Sequence, residues 1–595
     1  MKNMRKYIRN IIFGAAVISA LVSCEDFLTK VPPTSLSSGT MFTTVTTAES
    51  VLTGAYSSLR YGHSTTWATN LDCFTEILDP DVSRLGTSYM HLTGAATTRD
   101  AIYNTIWQNH YEGIYRANDV INNFHKVPEM TEERKAQRIA EAKFLRAWWY
   151  YRLNCLYGGV PVFLENYAPD YYFTVGRTPK EKVWEHILND LDDCIECESL
   201  PDKYEQGGND WGRVTKGAAY ALRGKVYLWL EDWENAESDF KKVEECGYGL
   251  YTNGTYADLF TVANEKCNEM IFSVQMAEEA GYGHAYSYNY GNHCTSGTGQ
   301  NACTLNSRFA DSFENADGSP FNWDDIISGY SSVEPAQRRA YFLRDGISST
   351  EKTNQADWGA DMSLYLDTGN EARVKAAYDN RDPRLAAIAI TPYSEYVGGV
   401  SGSELTYVYR FPFSSKNDPT LDLETAVSSN LSYPLRKYVA VGVECNRVEN
   451  NPFDIPLIRY ADVLLGLAEA HNEQNEFNDA LECLNKVRAR AGVAEINSAD
   501  YKGAQVTTQE QLRERIRMER KWELACEQVL YFDELRWGTW QEDKFGNDNG
   551  IMHAWGGMIQ KYNLGGDYYE LWPIPRSEIE KNDKLSSDQN AGWVN

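Results

Sequence analysis

One spacing of small and large residues occurs twice and constrains the fold more than any other feature. After Thr215, the residues Tyr220, Gly224, Tyr227, Ala236 and Phe240 fall on two consecutive amphipathic stretches of helical period, separated by Asp232-Trp233. A second copy within Ile458 to Ala491 sets Leu464, Leu467, Ala468, His471, Ala480 and Leu484 at matching positions. Small residues let two paired helices approach, and the large ones fill the groove between them. A third helical run, Ala136 to Leu156, carries Ile139, Ala142, Phe144, Leu145, Trp148, Trp149 and Leu153 and stops at Gly158-Gly159 and Pro161.

These spacings are those of the tetratricopeptide repeat, in which each helix pair leaves an apolar face uncovered, so several pairs must stack. The expected fold class is therefore mostly α, with tetratricopeptide-like helix pairs as a scaffold. At roughly 150 residues per domain, 595 residues leave room for several such units. Between about Gln275 and Pro452 the texture changes: Gly, Ser, Asn and Tyr dominate, and short runs such as Tyr407-Val408-Tyr409 alternate like small strands. A loop-rich part packed across a helical base is expected there.

The N-terminus reads as an address. Lys2, Arg5, Lys6 and Arg9 precede an apolar run from Ile11 to Leu21 that ends in Leu21-Val22-Ser23-Cys24. Charged, apolar and small-residue sections in that order make a secretory signal. The Cys directly after Leu-Val-Ser resembles the bacterial lipobox, in which Cys24 takes lipid and becomes the mature N-terminus; the rival reading is an ordinary cleavage site. Acyl chains hold a protein to a membrane at about 0.8 kcal/mol per buried methylene.

A net charge of −27 opposes a phosphate backbone, so nucleic acid is not an expected partner. With one of 12 cysteines lipidated, an odd number remains, which does not read as a disulfide framework. Cys194 and Cys197 have the spacing of half a zinc site but lie on a helical pattern running from Val183, and a helix face is the simpler reading.

A set of blocks resembles the SusD/RagB nutrient-uptake lipoproteins of the Bacteroidetes outer membrane. They are Ala142-Lys143-Phe144-Leu145-Arg146-Ala147, Gly158-Gly159-Val160-Pro161, Thr215-Lys216-Gly217-Ala218-Ala219, Asp382-Pro383-Arg384 and Pro456-Leu457-Ile458-Arg459-Tyr460-Ala461-Asp462. Further blocks are Leu484 to Ala491, Glu519-Arg520, Tyr531-Phe532-Asp533, Arg536-Trp537-Gly538, Trp572-Pro573-Ile574-Pro575 and Gln589-Asn590. They keep the family's order along nearly the whole mature chain. Gln528, Leu530 and Glu534 depart from the family's usual Gly, Arg and Leu, and Ala591 from its Pro.

The resemblance implies about four tetratricopeptide-like units with a variable part across them. It also implies a surface lipoprotein that sits on a TonB-dependent, SusC-like outer-membrane transporter and captures oligosaccharides, or peptides in the RagB branch. Glu25-Asp26 after the lipidated Cys24 resembles the family's acidic surface-export tag. On this basis the expected organisation is a signal peptide over 1–23, a tether over 24–45, helical parts over 46–274 and 452–595, and a ligand-binding insertion over 275–451.

Binding a neutral sugar in water needs flat aromatic faces for the apolar side of the ring and planar polar groups for its hydroxyls. Two stretches supply both. The early one offers Trp67, Asn70, Asp72, Arg84 and Tyr89; the later one offers Tyr282, Tyr286, Tyr288, Tyr290, Trp323, Tyr330 and Trp358. An extended Tyr286-Ser287-Tyr288-Asn289-Tyr290 run would set three rings on one side.

Nucleophile-elbow, zinc-helix and phosphate-loop motifs are absent from the sequence. Glu76 with Asp79 is the most suggestive pair for a glycosidase. Asn315-Ala316-Asp317-Gly318 resembles the middle of a calcium loop but reads more simply as a turn, because Phe313 occupies the place of the first ligand. The alternating Arg and Glu residues from Arg513 to Arg520 read as a salt-bridged scaffold helix.

The expected function is non-catalytic capture of an oligosaccharide or polysaccharide at the outer-membrane surface, without cofactor or metal. A peptide-capturing uptake protein, a secreted glycoside hydrolase and a tetratricopeptide protein scaffold are the alternatives.

Overall fold

A computed structural model describes residues 41–61, 70–414, 421–427, 430–444 and 448–594. Cys24, the signal and Trp67 lie outside the described residues.

The N-terminal helices are α1 (Val45–Ser57), α2 (Ala101–Asn123), α3 (Glu132–Tyr157), α4 (Lys180–Glu196), α5 (Lys216–Trp229) and α6 (Trp233–Glu245). Their ends obey local chemistry. The Thr131 hydroxyl accepts the Arg134 N–H at the start of α3, Glu132 and Glu133 occupy its first turn, and Gly158 at φ 72° closes it. Thr215 caps α5 in the same way, through the Ala218 N–H. Successive helices pack side by side from α2 through α6.

After α6 the chain enters strand β2 (Met270–Val274) and departs into an irregular middle. That part holds α7 (Tyr286–Tyr290), α8 (Ser349–Asp357) and several short strands. The chain returns through β8 (Ile455–Arg459), which pairs antiparallel with β2, and resumes helical structure as α9 (Tyr460–Glu473), α10 (Phe477–Ala491), α11 (Gln509–Leu524) and α12 (Leu530–Trp537). Helix α6 packs on α9, so the two helical halves form one array while the middle branches from a paired pair of strands.

Glycines set the helix spacing. A Cβ on Gly224 would stand 2.5 Å from the Phe240 ring, and one on Gly466 would stand 2.9 Å from it. Phe240 of α6 is thus wedged against the bare backbones of α5 and α9, the role that the spacing argument gives to small residues.

Short sheets stitch the middle to the base. Strand β1 (Leu78–Pro80) of the early segment pairs with β3 (Cys303–Leu305), which pairs with β7 (Tyr433–Pro434). Strands β4 (Glu395–Gly398), β5 (Leu405–Val408) and β6 (Leu421–Asp422) form a second sheet, and Tyr407 and Val408 do lie in a strand.

Buried ion pairs lock the same seam. Arg384 of the middle donates to Glu519 at 2.6 Å and Glu523 at 3.1 Å of α11, and Arg459 donates to Glu269, Glu523 and Glu527. Arg488 bridges Glu519 and Glu314, each at 3.0 Å. Several of the family-like blocks therefore consist of scaffold ion pairs, and the Arg-rich helix is the salt-bridged element its pattern implied.

Cys194 is buried on α4 with its thiol against the Asp190 and Ala140 carbonyls, a helix-face residue. All ten described cysteines are free thiols. Asn315 to Gly318 forms a turn in which the Gly318 N–H donates to the Asn315 carbonyl at 2.8 Å.

Candidate glycan-binding site

The early segment and the middle insertion do meet, but the meeting is an interior seam. The Asn70 side chain caps a short turn by accepting the Asp72 N–H at 2.9 Å, and the Asn70 N–H donates to the Tyr89 hydroxyl at 3.1 Å. Asp72 is fully buried and accepts the Gln528 N–H at 3.0 Å; burial pushes its carboxyl up to about 7. Gln528 in turn donates to the Tyr286 hydroxyl at 3.0 Å. Gln528 stands where the family usually has Gly and holds φ 59°, the left-handed conformation that glycine adopts without strain.

The tyrosine run corrects a specific expectation. Residues 286–290 form the one-turn helix α7, not an extended segment, so the three rings do not share one side. Tyr286 and Tyr290 are buried with their rings 4.7 Å apart, and Tyr288 is half-buried. The seam buries these side chains because β1 and β3 draw the early segment against α7. Asn70, Asp72, Tyr89, Tyr286 and Tyr290 therefore form a buried seam and present no outward platform, while Arg84 is partly exposed.

Trp323 and Tyr330 also lie inside. Their rings stack at 5.0 Å and 20°, and the Trp323 indole N–H donates to Asp311 at 3.1 Å. They back a surface cluster rather than form its face.

Two of the expected rings are open to solvent, and each is backed by a guanidinium. Trp358, immediately after α8, is 56% exposed and lies 5.0 Å from the Arg339 guanidinium. Arg339 also contacts Phe411 at 4.9 Å and Trp555 at 5.0 Å, and its Nε donates to Gln355. Among the described residues no carboxylate pairs with Arg339, and burial lowers its pKa to about 10. His553 stacks on Trp555 at 4.2 Å; burial first, and Arg339 second, push it down to about 3, so it is neutral.

Tyr282 is 57% exposed with the Arg60 guanidinium 4.8 Å from its ring centroid. A cation behind an aromatic ring is worth about 0.5–1 kcal/mol at an exposed site and fixes the ring's orientation. More than half of the Tyr282 surface is exposed, enough for a sugar ring to reach it.

Arg339, His553, Phe411 and Trp555 were not anticipated from sequence. The Arg338-Arg339 pair near Trp358 was the one local signal; Trp555 comes from the far end of the chain.

The suggestive carboxylates have structural partners. Asp79 is buried and accepts from Asn306 at 2.9 Å and from the Tyr562 hydroxyl at 2.8 Å. Glu76 accepts from Lys521 at 2.7 Å, and Asp543 shares the same ammonium. A lysine is thus held among Glu76, Asp543 and Glu534.

The structure is a mostly helical protein whose packed helix pairs carry a branched insertion with arginine-backed surface rings. Residues 268–593 match the model of the SusD family, and residues 26–228 match a model described as starch-binding and associating with the outer membrane. The chain belongs to the SusD family. It is 26% identical to SusD-like protein P25 of Formosa agariphila over 98% of this chain and 99% of that one. It is also 26% identical to the starch-binding protein SusD of Bacteroides thetaiotaomicron, over 78% of this chain and 74% of that one. A crystal structure of a SusD-like protein from Bacteroides fragilis superposes with a TM-score of 0.72 at 20% identity, covering 95% of this chain and all of the other.

Proposed function

We propose that this protein captures a neutral oligosaccharide at the outer-membrane surface and passes it to a SusC-like TonB-dependent transporter. The observation that carries the reading is the pair of exposed, arginine-backed rings, Trp358 and Tyr282, in the insertion of a SusD-family scaffold. A ring held from behind loses little freedom when its other face takes a sugar, which favours reversible binding. The name of the starch-binding relative points to the same ligand class. The lipobox-like ending at Cys24 supports anchoring to the outer membrane by lipid.

Affinity electrophoresis of the purified protein in gels holding amylopectin, laminarin or xyloglucan tests this. Retardation by at least one glycan without release of reducing ends is expected. Accumulating reducing ends, or binding to peptides and to no glycan, would overturn it. Cys24→Ala is expected to move the protein out of the outer-membrane fraction; continued attachment refutes the lipid anchor.

A further inference from the structure

A second concave aromatic site lies on the helical base and shares no residue with the surface rings of the insertion. It is a cavity of about 360 Å³ between α2, the loop that succeeds α3 and the C-terminal segment near Glu578. Small-molecule sites typically measure about 300–1,000 Å³ and combine apolar walls with a few polar groups.

Its wall is a relay of rings: Trp107 to Tyr111 at 5.0 Å, Tyr111 to Phe163 at 5.9 Å and Phe163 to Tyr172 at 4.7 Å. At its mouth Tyr115 is 49% and Phe173 45% exposed, although both are large aromatics on a well-packed scaffold. Grouped exposed rings of this kind mark interaction sites more often than scattered ones do.

The charge of the lining selects the ligand. Glu112 pairs with Arg116 and Glu578 pairs with Lys581 at 2.8 Å, so the charged lining residues are compensated within the protein. Gln108 extends over Glu578 and adds a planar amide at the rim. A cavity of aromatic faces, amide and balanced charge suits a neutral ring-shaped ligand and offers nothing to a phosphate or sulfate.

We propose that this cavity is a second saccharide subsite, which takes a further stretch of the same polymer that the Trp358 and Tyr282 rings hold. The proposal rests on the glycan-capture reading above. Two weak sites on one chain turn the second contact into an intramolecular event, and avidity of this kind reaches about 10²–10⁴-fold. The gain applies to polysaccharides and not to fragments too short to reach both sites.

The test compares wild type, Trp358→Ala and the double variant Tyr115→Ala/Phe173→Ala in gels of amylopectin, laminarin and xyloglucan. The matching hexasaccharide or heptasaccharide is titrated by calorimetry. Both mouth residues are about half exposed, so the double variant is expected to melt with the wild type.

The double variant is expected to lose at least tenfold in affinity for the polysaccharide that retains wild type, and its oligosaccharide stoichiometry is expected to fall by one. Trp358→Ala is expected to keep the cavity's site. Retention and stoichiometry equal to wild type in the double variant would overturn the second site while leaving the capture reading intact. Loss of all binding in Trp358→Ala would likewise place every saccharide contact on the insertion and overturn it. A wild type that none of the three glycans retains overturns both readings.

Discussion

Removing the Trp358 indole gives the most direct measure of the surface site. The side chain is 56% exposed, and its back face is already covered by Arg339. For an aromatic side chain of about 250 Å², that leaves on the order of 140 Å² open, of which one stacked sugar covers about half. At about 25 cal/mol per Å², burying about 70 Å² contributes about 1.8 kcal/mol, equivalent to about a twentyfold change in Kd. The stability cost is smaller, about 0.5–1 kcal/mol for an exposed cation–π contact.

Trp358→Ala, made in the Tyr115→Ala/Phe173→Ala background so that the cavity does not report, is therefore expected to weaken the binding that depends on Trp358 about twentyfold, measured by calorimetry. Trp358→Phe, which keeps a flat ring over Arg339, is expected to recover most of the loss. A Kd within twofold of the background protein, with an unchanged melting profile, would show that the open indole face is not where the sugar lies.

Other perturbations probe the scaffold. Glu519→Gln leaves the fully buried Arg384 and Arg488 short of a counter-ion and is expected to cost about 3–5 kcal/mol in urea unfolding; an unchanged midpoint would contradict the ion-pair account. Burial alone would raise the Glu523 carboxyl, but Arg490, Arg459 and Arg384 hold it down to about 2. A depressed folded-state pKa stabilises the fold above the ordinary value near 4.5 and is lost on acidification, so stability measured by circular dichroism should decline from about pH 4.5 towards 2.

Glu534 is buried with neither carboxylate oxygen hydrogen-bonded, its paired cation, Lys521, stands off at 3.8 Å while Glu76 and Asp543 hold that ammonium at 2.7 and 2.8 Å, and burial raises the Glu534 pKa. Its contribution is therefore present at low pH and lost as pH rises, and Glu534→Leu is expected to stabilise by about 1–3 kcal/mol at pH 8 and by less at pH 4. An equal gain at both pH values would reject the carboxylate as the cause. Gly224→Ala sets a methyl group against the Phe240 ring and is expected to cost about 1–3 kcal/mol, restored in part by Phe240→Leu. Absence of rescue would argue against Phe240 as the wedge.

The helices were legible because their information is local. Thr131 and Thr215 cap the helices that begin beside them, Gly158 closes α3, and the period of apolar residues from Ala136 to Leu156 names the buried face of that helix. The small residues Gly224 and Ala236 mark a helix pair by their spacing alone. The family blocks were legible too, because Asp382-Pro383-Arg384 and Glu519-Arg520 are held by buried charge pairs whose members tolerate little change.

Exposure of aromatic residues was not legible. Tyr286 and Trp358 belong to the same tyrosine- and tryptophan-rich stretch, yet one is 1% and the other 56% exposed. The difference arises from distant chain: Asp72 and Gln528 close over the first, while Arg339, Phe411 and Trp555 raise the second from behind. Sequence by itself determined the helices, their pairing and the family, because caps, periodicity and helix-crossing glycines act between near neighbours. Only the tertiary structure decided which rings face water, because an aromatic side chain is equally suited to core and to ligand, and the long-range packing around it chooses between them.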